Sequence, residues 1–318
     1  MAARRTLIAG GDGFLGRALT RRLLDRGDYV WIIDDHSTSQ PQAAHPRLVV
    51  HEADVCATKD RELPSLDAVL HFASPAAPAL FVRRTRVVAP NVQGTQCLLD
   101  LARQWEARFI YASSSEVYGL AADVRRPFGE DDPFHDQPHS ARACYAAAKR
   151  LGEELVVAAR DDGVDALALR IFNVYGPGMD PTISGDGRVI PNFLRAVRRG
   201  EALPIYGDGQ QVRSFLWIED FVDAVVTLLD HPQRLPTALN LGRDEPVRVL
   251  DLADAVEHAL GCPVARALHV RPAQGTRWRR PDCTRLRDLT GWVPKVALHE
   301  GLRQLVTGAE DLGEVPCP

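Results

Sequence analysis

Between Arg5 and Phe172, short apolar runs alternate with helical segments, and this alternation restricts the fold more than any other feature of the chain. RTLIA (Arg5–Ala9), YVWII (Tyr29–Ile33), RLVVH (Arg47–His51), AVLHF (Ala68–Phe72), RFIYA (Arg108–Ala112) and ALALRIF (Ala166–Phe172) each have the length and apolar density of a buried strand. Gly13–Arg26 sets Phe14, Leu15, Ala18, Leu19, Leu23 and Leu24 along one helical face, and Asn91–Trp105 and Ala143–Arg160 carry similar stripes. Buried strands joined by helices require crossover connections. The expected fold class is therefore α/β, with a doubly wound parallel sheet.

After about Gly176 the pattern becomes irregular, and proline and glycine punctuate PGMDPTISGDGRVIP. Helices are expected at Asn192–Arg199, Phe221–Asp230, Leu250–Leu260 and Thr284–Leu289, with a polar strand-like stretch, LPIYGDGQQVRSFLWI, between the first two. No linker separates the halves. Residues 1–176 are expected to form the first domain, with a returning segment near 214–243. Residues 177–318 should mainly form a smaller, interleaved C-terminal substrate-binding lobe.

Charge and cysteine usage narrow the function. With 38 basic and 42 acidic side chains spread along 318 residues, the chain has neither a basic footprint for nucleic acid nor a polybasic membrane segment. Cys56, Cys97, Cys144, Cys262, Cys283 and Cys317 show no metal-ligand spacing, so no metal is expected and all six read as reduced thiols. No apolar run approaches the ~20 residues of a membrane span. A soluble, cytoplasmic protein is expected.

The first strand ends in Gly10-Gly11-Asp12-Gly13-Phe14-Leu15-Gly16, a GxxGxxG turn leading into a helix. Gly10 permits the tight turn, Gly13 admits a pyrophosphate close to the backbone, and Gly16 lets helix and strand pack closely. Glycines also gather in ordinary turns, but strand before and helix after match a Rossmann-type dinucleotide site. Asp34 ends the second strand, where an acid accepts both ribose hydroxyls of NAD and repels the extra phosphate of NADP. Asp54 and Val55 follow the third strand, as an adenine contact or equally as a turn. NAD is the expected cofactor.

Tyr145 and Lys149 stand four residues apart on one face of a helix. A phenol with a pKa near 10 is a poor base, and a neighbouring ammonium favours its phenolate. Lysine supplies only Lys59, Lys149 and Lys295 of the 38 basic residues, so Lys149 is a scarce type at a meaningful spacing. The fifth strand leads into Ser113-Ser114-Ser115-Glu116-Val117-Tyr118-Gly119, hydroxyls and a carboxylate at the strand end where α/β sheets bind ligands.

GGDGFLG, HFAS, SSSEVYG, YxxxK and RIFNVYGP resemble the extended short-chain dehydrogenase/reductase superfamily acting on nucleotide sugars, over essentially the whole chain. HFASPAAP, SARACYAAAKR, GDGRVIPNF, YGDGQQVRSF and RRPD are similar to one branch, the UDP-glucuronate decarboxylases. The resemblance implies that Tyr145 is the base and Lys149 its partner, and that Ser114 binds the sugar O4. It places Ser115 and Glu116 near the departing carboxylate and Arg279 on it. It sets Asn173 beside the diphosphate and Val189, Asn192, Tyr206 and Arg213 around uridine and diphosphate, with Phe14, Leu15 and Ala73 on the cofactor side. The related dehydratases carry Asp where Ser115 stands, which argues against dehydration. One departure is Ala146-Ala147-Ala148, where decarboxylases usually read an acidic pair and glycine. The implied activity is NAD-dependent decarboxylation of UDP-glucuronate to UDP-xylose, UDP-4-keto-pentose or both, by a homodimer joined through a four-helix bundle. A nucleotide-sugar 4-epimerase is the alternative, and a non-catalytic dinucleotide sensor the reading from another class.

Overall fold

Strand side chains point alternately to opposite faces, and in the first half both faces are apolar, so helices must cover both. The computed structural model describes residues 3–60, 62–75, 80–81, 83–120, 125–135, 140–179, 188–270 and 276–307. The first half runs β1 (Arg5–Ala9), α1 (Phe14–Arg26), β2 (Tyr29–Asp34), β3 (Leu48–Glu52), β4 (Ala68–His71), α2 (Arg84–Ala89), α3 (Thr95–Gln104), β5 (Arg108–Ser114), α4 (Ala141–Asp161) and β6 (Ala166–Ile171). It continues through β7 (Val174–Tyr175), α5 (Val189–Arg198), β8 (Leu203–Tyr206), β9 (Val212–Arg213), β10 (Leu216–Trp217) and α6 (Ile218–Asp230). The rest is β11 (Ala238–Leu241), β12 (Val247–Arg248), α7 (Val249–Leu260), β13 (Arg266–His269), α8 (Thr284–Thr290) and α9 (Leu298–Thr307).

Seven strands form one sheet in the order β11-β6-β5-β4-β1-β2-β3, with every pairing parallel. This is the Rossmann-type α/β sheet. Leu7, Ala9, Ile33, Val69, Phe109 and Tyr111 pack with Leu98 and Leu99 of α3 and Val156 of α4. Ile8, Val30, Ile32, Leu70, Ile110 and Leu167 point the other way, into a core with Leu19 and Leu23 of α1 and Phe221 and Val225 of α6. The strand order reverses between β1 and β4, so the strand ends part there and open a crevice.

Three elements differ from expectation. The segment expected as a buried strand at Arg47–His51 is the edge strand β3, and Val49 and Val50 are exposed. The helix expected from Asn91 begins at Arg84, because α2 continues through a π-turn at Pro90–Gly94 into α3. Pro90 lacks the N–H that a regular turn uses, and a wider turn absorbs the defect. The third is the unanticipated α9, which buries Leu298, Leu302 and Leu305, while after Asp230 the chain joins the main sheet as β11 beside β6.

Cys56, Cys97, Cys144 and Cys283 are free thiols. Cys262 is disulfide-bonded, which corrects the expectation of a reduced thiol there; Cys317 lies outside the described residues. Disulfide formation depends on which segments the fold brings together, and sequence spacing does not report that. Among the described residues no helix is long and apolar enough to cross a membrane, and no group of three or more His, Cys, Asp or Glu is placed to hold a metal.

Candidate active site

The crevice at the switch point widens into a cleft of about 1110 Å³ between the sheet and the second lobe. Pockets for one small ligand run to roughly 300–1,000 Å³, so this one has room for two extended ligands side by side. One end is the glycine turn. Gly10 has φ +77°, and a Cβ there would overlap the backbone of Phe72 and Ala73, while one on Gly16 would overlap the Gly10 carbonyl. Gly13 precedes α1 without a side-chain cap, and no acid occupies the helix's first turn. The free N–H groups and the positive helix end therefore face the cleft, which fits a dinucleotide pyrophosphate.

Beside the turn, the loop after β2 folds over it. Asp34 Oδ2 accepts from the Asp12 N–H (3.0 Å), and Oδ1 accepts from the His36 N–H (3.0 Å) and the Ser39 hydroxyl (2.8 Å). Asp12, buried inside the turn, pairs through Oδ2 with His36 Nε2 at 2.7 Å and accepts the Gln42 N–H at 3.2 Å. This bond, with Asp34 and Glu52 nearby, raises the His36 pKa above its ordinary value, against the pull of burial. Asp12, His36, Ser37 and Ser39 line the cleft, whereas Asp34 stands behind them. Asp54, Val55 and Ala73 do not line it either. The Asp54 carboxylate closes a turn on the Cys56 N–H, and Val55 is core.

In the middle of the cleft α4 presents Tyr145 and Lys149 together. Burial pushes the Tyr145 phenol well above its ordinary value, and the Ser114 hydroxyl and the Arg142 charge pull against it. The Phe81 ring stacks on Tyr145 at 4.3 Å and 11°. Lys149 Nζ donates to the Ala112 carbonyl at 2.6 Å and lies 5.7 Å from the centre of the Tyr145 ring. Burial pulls the Lys149 pKa down to about 7, with Glu153 opposing. An ammonium that titrates near neutrality gives up and regains a proton readily, and it does so beside the Tyr145 phenol. Glu153 is itself clamped by buried Arg170, with the Ser113 hydroxyl at 2.5 Å. Asn91 from the π-turn donates to Ser74 Oγ at 2.9 Å, orienting a further hydroxyl on the cleft wall.

The end of the cleft opposite the glycine turn carries charge. Ser114 ends β5, and its hydroxyl accepts the Glu116 N–H at 3.2 Å. Ser115, buried, lines the cleft beside Glu116. Glu116 Oε1 receives Arg279 Nη1 at 2.7 Å and Arg142 Nη1 at 2.8 Å. Burial alone would raise the Glu116 pKa, but Arg279, Arg142 and Arg213 outweigh it and hold the carboxyl below its ordinary value. Arg279 is 3% exposed and also donates to the Gly119 carbonyl at 2.8 Å. Asn173, just after β6, and Val189, Asn192, Tyr206 and Arg213 from the second lobe all line the same cleft. Asn173 is held by the Ser214 carbonyl, and Asn192 Oδ1 is buried with no hydrogen-bond partner among the described residues.

The fold thus gathers Tyr145, Lys149, Ser114, Ser115, Glu116, Arg279, Asn173 and the four second-lobe residues around one space. Sequence reasoning missed Asp12, His36 and Arg142. Asp12 had a signal, an acid inside a turn that needs none. So did Arg142, three residues before Tyr145 and hence on its helix face. None of Ala146, Ala147 and Ala148 lines the cleft, so the departure from the decarboxylase pattern leaves its wall unchanged.

Comparison with known proteins agrees with this geometry. The chain is 33% identical over 310 residues to UDP-glucuronic acid decarboxylase 1 of Arabidopsis thaliana, covering 95% of this chain and 69% of that protein. Its fold is similar to UDP-glucose 4-epimerase of Thermotoga maritima with UDP-glucose, with TM-score 0.85, 26% identity, and coverage of 95% and 97% of the two chains. MoeE5 in complex with UDP-glucuronic acid and NAD is also similar, with TM-score 0.81, 27% identity, and coverage of 95% and 98%. The glycine turn that suits a dinucleotide and the Tyr145–Lys149 pair beside it fall within residues 6–242, which match one family over most of the chain; the protein belongs to the NAD dependent epimerase/dehydratase family, and NAD is its cofactor.

Proposed function

We propose that this enzyme decarboxylates UDP-glucuronate through a 4-keto intermediate, giving UDP-xylose, or UDP-4-keto-pentose when the intermediate leaves early. The observation that carries this reading is the buried Arg279–Glu116 pair at the sugar end, within the same cleft as Tyr145. Bound NAD supplies a reversible hydride acceptor. Tyr145 takes the 4-hydroxyl proton while Lys149 balances the phenolate charge, and Ser114 steadies O4. The sugar then carries a ketone beta to its carboxylate. The C5–C6 bond breaks, its electron pair enters the enolate, and CO₂ departs. A proton adds at C5, and the 4-hydroxyl reforms with the proton that Tyr145 holds. Ser115, a hydroxyl with no acidic proton to give, favours this course over water loss.

Residues 1–176, with the segment near 214–243, would hold the cofactor. Asn173, Val189, Asn192, Tyr206 and Arg213 would hold the UDP portion. The 4-epimerase reading keeps support from the likeness to the Thermotoga enzyme, since epimerisation uses the same tyrosine and lysine. Incubation with UDP-glucuronate decides between them. Loss of CO₂ and a pentose product mass support decarboxylation, with NADH absorbance accumulating only if the keto product escapes; a hexuronate product of unchanged mass overturns it. Arg279→Lys keeps the charge but loses the planar contacts to Glu116 and Gly119. CO₂ release should fall at least about tenfold with UDP binding retained. Release at the wild-type rate removes Arg279 from the step.

A further inference from the structure

We propose that Arg142 is the residue that reads the substrate's carboxylate, exchanging Glu116 for the acid sugar while Arg279 stays fixed. The inference rests on the cleft being the site of a UDP-linked acid sugar, and it concerns recognition rather than CO₂ loss. Two guanidinium groups share one oxygen of Glu116, yet they are held differently. Arg279 is buried, with one Nη on Glu116, the other on the Gly119 carbonyl, and its backbone N–H on Val212 O at 3.1 Å. Arg142 has 29% of its side chain exposed in the cleft wall, and Glu116 is its one ion-pair partner among the described residues. Its Nε and Nη2 donate to no protein group among those residues, so donors remain for a ligand.

The helix itself does not call for a cation where Arg142 stands. It stands in the first turn of α4, where the helix dipole disfavours a cation, and Ser140 already caps that end through the Ala143 N–H. Three residues on, Tyr145 occupies the same face, so a carboxylate drawn to Arg142 is drawn toward the reacting end of the cleft. Charge balance points the same way. Arg142, Arg279 and Arg213 against Glu116 leave an excess of positive charge, which a sugar carboxylate reduces and a neutral hexose does not. A guanidinium offers that carboxylate two parallel, charge-assisted hydrogen bonds. Once CO₂ has left, Arg142 has only Glu116 to return to, and the neutral product loses this contact.

Calorimetric titration in a Tyr145→Phe background, which blocks turnover, tests the exchange on the NAD-loaded protein. Arg142→Gln should weaken UDP-glucuronate binding at least about tenfold while UDP-glucose binding changes less than about twofold. Arg142→Lys should fall between, keeping charge without the fork. NAD affinity should stay unchanged in both variants, which reports that they are folded. Equal weakening of both sugars, or weakening of neither, overturns the inference even if CO₂ is released by the wild type. Selective weakening in an enzyme that releases no CO₂ sustains Arg142 as the acid reader and overturns the decarboxylase reading alone. Should Arg142→Gln lose NAD binding, Arg142→Lys decides by the same comparison.

Discussion

Tyr145 is held in surroundings that oppose the charge its role requires: burial raises its phenol, and Ser114 and Arg142 only partly offset that. Tyr145→Phe removes the hydroxyl and little else, because the ring and its stack on Phe81 remain. Oxidation of the UDP-sugar, followed by NADH absorbance in single turnover, should fall by about 10²–10⁴-fold or more, with UDP-sugar affinity unchanged by calorimetry. Near-wild-type turnover would exclude Tyr145 as the base. His36 is the second residue whose protonation matters. Its folded pKa is raised by the Asp12 bond, with Asp34 and Glu52 adding to the effect and burial opposing it. A raised pKa means the folded state holds the proton more tightly, so the stabilisation is fully present below the unfolded value of about 6.5. It is lost as pH rises through the folded pKa. Urea denaturation should show wild type more stable than His36→Asn at pH 5.5, with the gap narrowing by pH 8.5. A gap that does not change with pH would remove the charged pair from the account.

At the scale of elements, the contact between β1 and α1 sets the cofactor turn. Gly16 lies on the Gly10 carbonyl and the Gly11 Cα, both backbone, so no side-chain rotation can relieve an added methyl. Gly16→Ala should lower stability by about 1–3 kcal/mol, read as a lower urea midpoint. NAD affinity should fall at least several-fold, because the turn and the helix end move apart. A variant with an unchanged midpoint and unchanged NAD affinity would mean that the turn yields without cost. The Arg84–Gln104 helical stretch makes the opposite point about legibility. Its π-turn at Pro90 frees the Pro90 carbonyl to accept from buried His71 Nε2 at 2.9 Å and places Asn91 against Ser74 and Tyr111. Read locally, proline signals an end, so the helix is visible only from Asn91 onward; the packing of α2 on α4 and the bond from His71 of β4 to Pro90 keep it going.

For the whole molecule, the outer face of α4 is the surface least explained by a single chain. Leu151 and Val157 are exposed at 52% and 40%, Val88 of α2 at 38%, and Ala147 and Ala158 extend the apolar stripe around Leu151. On α3, Thr95 and Leu99 are buried within the chain. Light scattering should give twice the chain mass at micromolar concentration, and Leu151→Glu should shift it toward one; a monomeric wild type counts against the paired-helix interface. The parallel sheet from β1 to β6, the cofactor turn and the Tyr145–Lys149 pair were legible because each is written in neighbouring residues, as a period of apolar side chains or a spacing of four. The second lobe's contribution was legible only by resemblance, since Asn192, Tyr206 and Arg213 sit in stretches without a period. Sequence alone therefore determined the sheet, the glycine turn and the pairing of Tyr145 with Lys149, all of which depend on hydrogen bonds and burial within a turn or two of chain. Tertiary structure alone decided that Glu116 would share one oxygen between Arg142 and Arg279, that His36 would close on Asp12, and that Cys262 would be disulfide-bonded. Those contacts join residues distant in the chain, and their energies exist only once packing has removed water and fixed the distances between them.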